Sequence, residues 1–234
     1  MIEVVDYGTG GLTSRHALWD ESLLGFWPLI GNVRDAKGDN HGIWMGTEQY
    51  ETETPAGGKA ASFSGNGKAV MLGKKFAFSS DKPLTYSAWV SIAESNPRNK
   101  YGNVLGMQTA ANRFSAYLCS SGDEEGKVGF YVGKSCVGDS HVLALNRPEP
   151  GTWRHYVGVY DGREVVFYVD GVKQGSVEYT YGQLDAPLCA LIVGPNVVAD
   201  WWLFKGAVAN VAVWSRALAA AEVTALYSLG LSDP

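Results

Sequence analysis

Glu51-Thr-Glu53 places two carboxylates at i and i+2, on one face of the chain if the segment is extended. Glycoside hydrolysis uses such a pair, one acid protonating the leaving oxygen and the other serving as nucleophile or base. Glu48 adds negative charge nearby and Pro55 follows, so an exposed acidic loop accounts for the same residues and is the reading adopted. Four histidines, His16, His41, His141 and His155, stand far apart and lack the i, i+4 spacing of a metal pair. No Gly-x-Ser-x-Gly elbow presents a serine nucleophile, and no glycine-rich phosphate loop opens a helix. Three cysteines, Cys119, Cys136 and Cys189, match no zinc spacing. Buried free thiols explain them; one bridge with one thiol left over stays open. The catalytic set and the metal set are therefore both predicted to be empty, and the protein is predicted not to be an enzyme.

The elements that would position a site are strands. In Trp153–Gly171, Asp161-Gly162 and Asp170-Gly171 punctuate runs of Val, Tyr and Phe. Asp-Gly between such runs is a strong hairpin signal, because both residues accept positive φ. Val157 and Val159 alternate with Tyr156 and Tyr160, so both faces of that strand are apolar and both need covering. About a dozen further short strands are predicted between residues 23 and 214, separated by turn residues, with hairpins at Ser64–Gly67 and Asp123–Gly126. Ala217–Leu229 is Ala-rich and predicts one helix; Val223, Leu226 and Tyr227 form its apolar stripe and Gly230 ends it. Residues 1–21 read as an irregular arm and 22–234 as one domain. The net charge of −5 and the lack of a Lys/Arg-rich run exclude a nucleic-acid binder. No apolar run is long enough to span a membrane. The first residues lack the basic and apolar regions of a signal peptide, so an intracellular protein, export by another route to a cell surface, or a place in a virion are the expectations.

Four segments, taken in order, resemble a laminin-G-like domain of the concanavalin A-like lectin/glucanase superfamily. They are Leu24–Leu29 with Arg34–Gly42, Lys59–Gly65 with Leu84–Val90, Trp153–Gly171, and Phe204–Leu218 with Glu222–Tyr227. The resemblance implies an all-β fold: a two-sheet antiparallel jelly-roll sandwich with one short C-terminal helix. It also implies core positions for Trp27, Trp89, Trp153 and Trp214, and a buried hydrogen-bonded state for His155. Sandwich glucanases of this superfamily carry Glu-x-Asp-x-x-Glu along one strand, and that run is missing here. Many members close with Gly-x-Ile-Asp-Glu/Asp-Val, whose Asp helps hold calcium; Ala209 stands at that Asp position, with Asn210 one step along. A hard cation wants several oxygens, so calcium is disfavoured. Asp35, Asp39 and Asn40 are the oxygens left in the early loop, where a polar turn explains them equally.

With packing claiming four tryptophans, the spare aromatics are Trp44, Tyr179, Tyr181, Trp201 and Trp202, the candidate ligand-binding residues. Aromatic faces stack on sugar C–H faces or bury in a subunit interface. Neighbouring strand residues point to opposite faces, so one of Trp201 and Trp202 is expected outward, Trp202 by preference. Two functions follow. One is a non-catalytic carbohydrate-binding or adhesion module with a glycan partner. The other is a structural surface or decoration subunit of a phage particle, assembling as a homo-oligomer through its aromatic surface and N-terminal arm.

Overall fold

The computed structural model describes residues 18–65, 68–72, 82–93, 101–109, 114–121, 126–134, 137–182, 187–194 and 204–230. They form fifteen strands in two antiparallel sheets, with one helix at the C-terminal end, so the sandwich expected from the sequence is the fold. The first sheet runs, in spatial order, β13 (Val172–Glu178), β12 (Glu164–Val169), β11 (Trp153–Tyr160), β6 (Leu84–Ile92), β15 (Lys205–Trp214), β4 (Lys59–Ser64) and β3 (Tyr50–Glu53). A further strand, β1 (Leu23–Trp27), shares with β4 the far edge of β15. The second sheet runs β10 (Gly138–Leu143), β9 (Lys127–Lys134), β8 (Phe114–Ser121), β7 (Tyr101–Thr109), β14 (Pro187–Val193), β5 (Ala69–Leu72) and β2 (Gly42–Met45).

The core lies between the sheets. Trp27, Tyr86, Phe130, Tyr156, Phe167 and Phe204 are fully buried there, each contributing about 1.5–3 kcal/mol of transfer free energy. Tyr86 meets Phe130 edge-on at 6.0 Å, and Tyr156 stacks on Phe167 at 6.0 Å. Gly158 on β11 is required by this packing, since a Cβ there would overlap the Phe130 ring. The period of β11 works as its sequence predicts. Tyr156 and Tyr160 join the core between the sheets, while Val157 and Val159 face outward into a second apolar cluster. That cluster is covered by the helix α1 (Ala220–Leu229) and by Leu18.

Local details depart from the expectations. Ser64–Gly67 does not close a hairpin: β4 belongs to the first sheet and β5 to the second, so the chain crosses between layers there. Tyr50–Glu53 is a paired edge strand on β4, not an acidic loop; Ser62 Oγ accepts the Glu51 and Thr52 N–H groups at 3.1 Å, holding it at a register break. Asp170-Gly171 is the expected two-residue turn, with φ of 50° and 75°. At Asp161-Gly162 only Gly162 has positive φ, and the Asp161 carboxylate instead accepts the Arg163 and Glu164 N–H groups at 2.8 and 2.6 Å. The helix starts at Ala220 rather than Ala217; the Ala219 N–H is taken by Glu222 Oε2 at 2.8 Å, and Gly230 at φ 66° ends it. Leu18, 3% exposed, packs into the outer cluster ahead of β1.

Candidate functional site

A cavity of about 70 Å³ lies between the outer face of the first sheet and α1. Its deep wall carries Leu23, Ser87, His155 and Trp214, all buried. Its rim is half-buried and includes Trp19, Phe26, Trp89, Leu226 and Leu229. Both ends of the described chain build it. The Trp214 indole N–H donates to the Leu18 carbonyl at 2.8 Å, pinning Leu18 and Trp19 over the sheet. Arg216 then holds the entering segment to the helix: its guanidinium donates to both Glu222 oxygens at 2.8 and 2.7 Å, and to Ser22 Oγ at 2.9 Å. Those bonds keep the Glu222 carboxyl below the usual carboxylate range.

His155 is the chemically active group of this wall. It is 2% exposed, and burial pushes its imidazole pKa down to about 3, so it is neutral at physiological pH. Its ring sits 5.2 Å from Trp89, which in turn stacks on Tyr227 of α1 at 5.8 Å. Nε2 pairs with Ser87 Oγ at 2.8 Å, whereas Nδ1 has no hydrogen-bond partner. The buried, hydrogen-bonded histidine expected from the sequence is thus half satisfied. Trp89 and Trp153 differ from expectation: they are not between the sheets but lie half-buried on the outer face, over Ala60, Ala207 and Ala209.

The early loop is a closed polar turn. Asp35, 5% exposed, accepts the Phe26 and Lys37 N–H groups on Oδ1 at 3.0 and 2.9 Å and the Asn40 N–H on Oδ2 at 3.1 Å. These donors occupy both carboxylate oxygens. Ala209 is buried against the outer face, and Asn210 adopts φ 47° at a bulge in β15, where Asn is tolerated better than most residues. Asn210 lines the cavity under the helix. Among the described residues no group of three or more His, Cys, Asp or Glu side chains could hold a metal ion.

Of the predicted ligand-binding aromatics, the described Trp44, Tyr179 and Tyr181 do not line this cavity. Trp44 is 9% exposed, and its N–H donates to the Tyr50 hydroxyl at 2.9 Å. Tyr179 is 8% exposed and packs edge-on against Tyr160 at 5.5 Å. Tyr181 is half-buried, beside Tyr179 and over Gly138 at the start of β10. Trp201 and Trp202 lie outside the described residues, as do Cys136 and the proposed turn at 123–125. Cys119 is a buried free thiol, and burial raises its pKa. Glu51 and Glu53 are exposed on the edge strand β3.

A second aromatic arrangement was not foreseen. On β8, β9 and β10, Tyr117, Tyr131 and His141 are cross-strand neighbours on the outer face of the second sheet. Tyr117 stacks on Tyr131 at 4.9 Å, Tyr131 on His141 at 4.6 Å, and His141 Nδ1 meets Asp139 at 2.8 Å. Tyr117 is half-buried, Tyr131 in the middle is buried, and His141 and Asp139 are exposed. The signal in the sequence is one ring per strand at an outward step. Finding it requires the pairing register, which no single segment contains.

Comparisons with known proteins agree with this architecture. Residues 64–224 match the family model described as the concanavalin A-like lectin/glucanases superfamily. No curated protein matches the chain. Domain 4 of AbnA, an extracellular arabinanase from Geobacillus stearothermophilus, in complex with arabinotriose, is similar at TM-score 0.68 and 19% identity, over 88% of this chain and 98% of that one. The botulinum neurotoxin serotype D ligand binding domain in complex with N-acetylneuraminic acid is similar at TM-score 0.66 and 11% identity, over 89% of this chain and 51% of that one. The Trypanosoma rangeli sialidase is similar at TM-score 0.67 and 17% identity, over 92% of this chain but 34% of that one. At these identities the structures share the fold, while the match over residues 64–224 shows the family: the chain belongs to the concanavalin A-like lectin/glucanases superfamily.

Proposed function

We propose that this protein is a non-catalytic carbohydrate-binding or adhesion module. The observation that carries the reading is the domain-for-domain likeness to the arabinotriose-bound arabinanase domain, 88% of one chain against 98% of the other. The row of Tyr117, Tyr131, His141 and Asp139 supports it. Its exposed end offers an imidazole and a carboxylate to sugar hydroxyls. The non-catalytic part rests on Glu51 and Glu53, which stand exposed on an edge strand rather than across a cleft, as cleavage would require.

A glycan array, run with and without calcium, followed by calorimetry on the best ligand and on arabinotriose, tests the reading. Binding is expected without calcium. Asp139→Ala and His141→Ala should each weaken it about tenfold, the worth of one good polar contact. No binding to any glycan, together with a stable trimer or larger ring by mass measurement, would overturn it in favour of a particle subunit.

A further inference from the structure

The cavity under α1 has the makeup of a small-ligand site: apolar walls, a few polar groups at one end, and an open rim. Its rim is aromatic through Trp19 of the entering segment and Phe26 and Trp89 of the sheet, and aliphatic on the helix side, through Leu226 and Leu229. Its polar end is deep rather than at the mouth. There His155 lines the cavity with Nδ1 unpartnered but covered by its neighbours, so a ligand reaches that atom as the surrounding side chains give; Asn210 lines the same cavity. A buried polar atom without a partner costs about 1–3 kcal/mol, so a ligand that supplies the missing bond gains from it.

We propose that this cavity binds a phenol, its hydroxyl against His155 Nδ1 and its ring leaving through the Trp19–Leu226 rim. A hydroxyl both donates and accepts. It therefore completes Nδ1 in either tautomer that the Ser87 contact selects. The neutral state of His155 admits an uncharged partner and gives a carboxylate no charge to pair with. Size sets the depth. A cavity of about 150 Å³ encloses benzene whole; one of about 70 Å³ takes the hydroxyl and the leading part of a ring. The remainder lies between Trp19 and Leu226, so a substituent para to the hydroxyl points to solvent and is tolerated. The site is separate from the Tyr117–His141 row, which lies on the other sheet.

Fluorine NMR titration of the whole chain with 4-fluorophenol, and with fluorobenzene as the hydroxyl-free control, tests the proposal. The phenol is expected to bind at a Kd of about 1 mM or tighter, within reach of a ligand this small. Fluorobenzene should bind at least about tenfold more weakly, the worth of one buried hydrogen bond. Leu226→Trp, which fills the rim from the half-buried helix face, should abolish both while leaving arabinotriose binding unchanged. His155→Phe should bring the phenol down to the level of fluorobenzene. If that variant does not fold, the two probes on the parent chain still test the hydroxyl, and Leu226→Trp the place. Equal affinity for both probes, undiminished binding by Leu226→Trp, or no binding at about 10 mM phenol would overturn the proposal.

Discussion

His155 makes folding depend on pH between about 3 and 6.5. Its imidazole titrates near 6.5 in the unfolded chain and at about 3 in the folded one. Between those values the unfolded state binds more protons, so stability is full above pH 6.5 and falls as pH drops toward 3. Each unit of pH inside the window is worth about 1.4 kcal/mol. At pH 5 the loss from this residue is about 2 kcal/mol, which in a domain of this size lowers Tm by about 4–8 °C. Urea unfolding at pH 8, 6 and 5 measures it, with His155→Gln as the reference. Glutamine keeps a partner for Ser87 Oγ and does not titrate, so the variant is less stable at pH 8 yet loses little more by pH 5. Exposed His141 and the carboxylates contribute equally to both proteins and cancel. If parent and variant lose the same stability between pH 8 and 5, then His155 is protonated or solvated in the folded state, and the account of the deep wall is wrong.

Gly158→Ala should destabilise by about 1–3 kcal/mol in chemical denaturation, because the new Cβ overlaps the Phe130 ring in a filled core; a neutral effect would show that the sheets can separate there. Asp35→Ala removes the acceptor of three backbone N–H groups in the early loop and should cost about 2–4 kcal/mol, while calcium at millimolar levels should leave the parent's Tm unchanged; a rise reversed by chelator would place an ion beside Asp35. Asp170→Ala should cost about 1–3 kcal/mol, since it forces φ 50° on alanine and loses the bond to the His155 N–H at 2.8 Å. Arg216→Ala should loosen residues 18–22, read as faster amide exchange at Leu18 and Trp19, with less effect on the central strands.

The sequence by itself determined the layers. Alternation in Tyr156–Tyr160 announced a strand covered on both faces, Asp170-Gly171 fixed a two-residue turn, and the Ala-rich stretch before Gly230 fixed the helix, because each signal is local to a few residues. Only the tertiary structure decided which sheet each strand joins. Ser64–Gly67 has hairpin residues yet joins two sheets, since β4 and β5 find partners more than a hundred residues away in β15 and β14. The sites follow the same division. His155 was readable as a buried histidine, but its unpartnered Nδ1 depends on what Ser87 and Trp89 of β6 and Tyr227 of α1 bring from two other places in the chain. Trp44 and Tyr179 looked spare because nothing near them in sequence claims them; the core does, through Tyr50 and Tyr160. The Tyr117–Tyr131–His141 row exists only in the register of three strands. A one-residue slip would send every ring to the other face, and only the packing of both faces together sets that register.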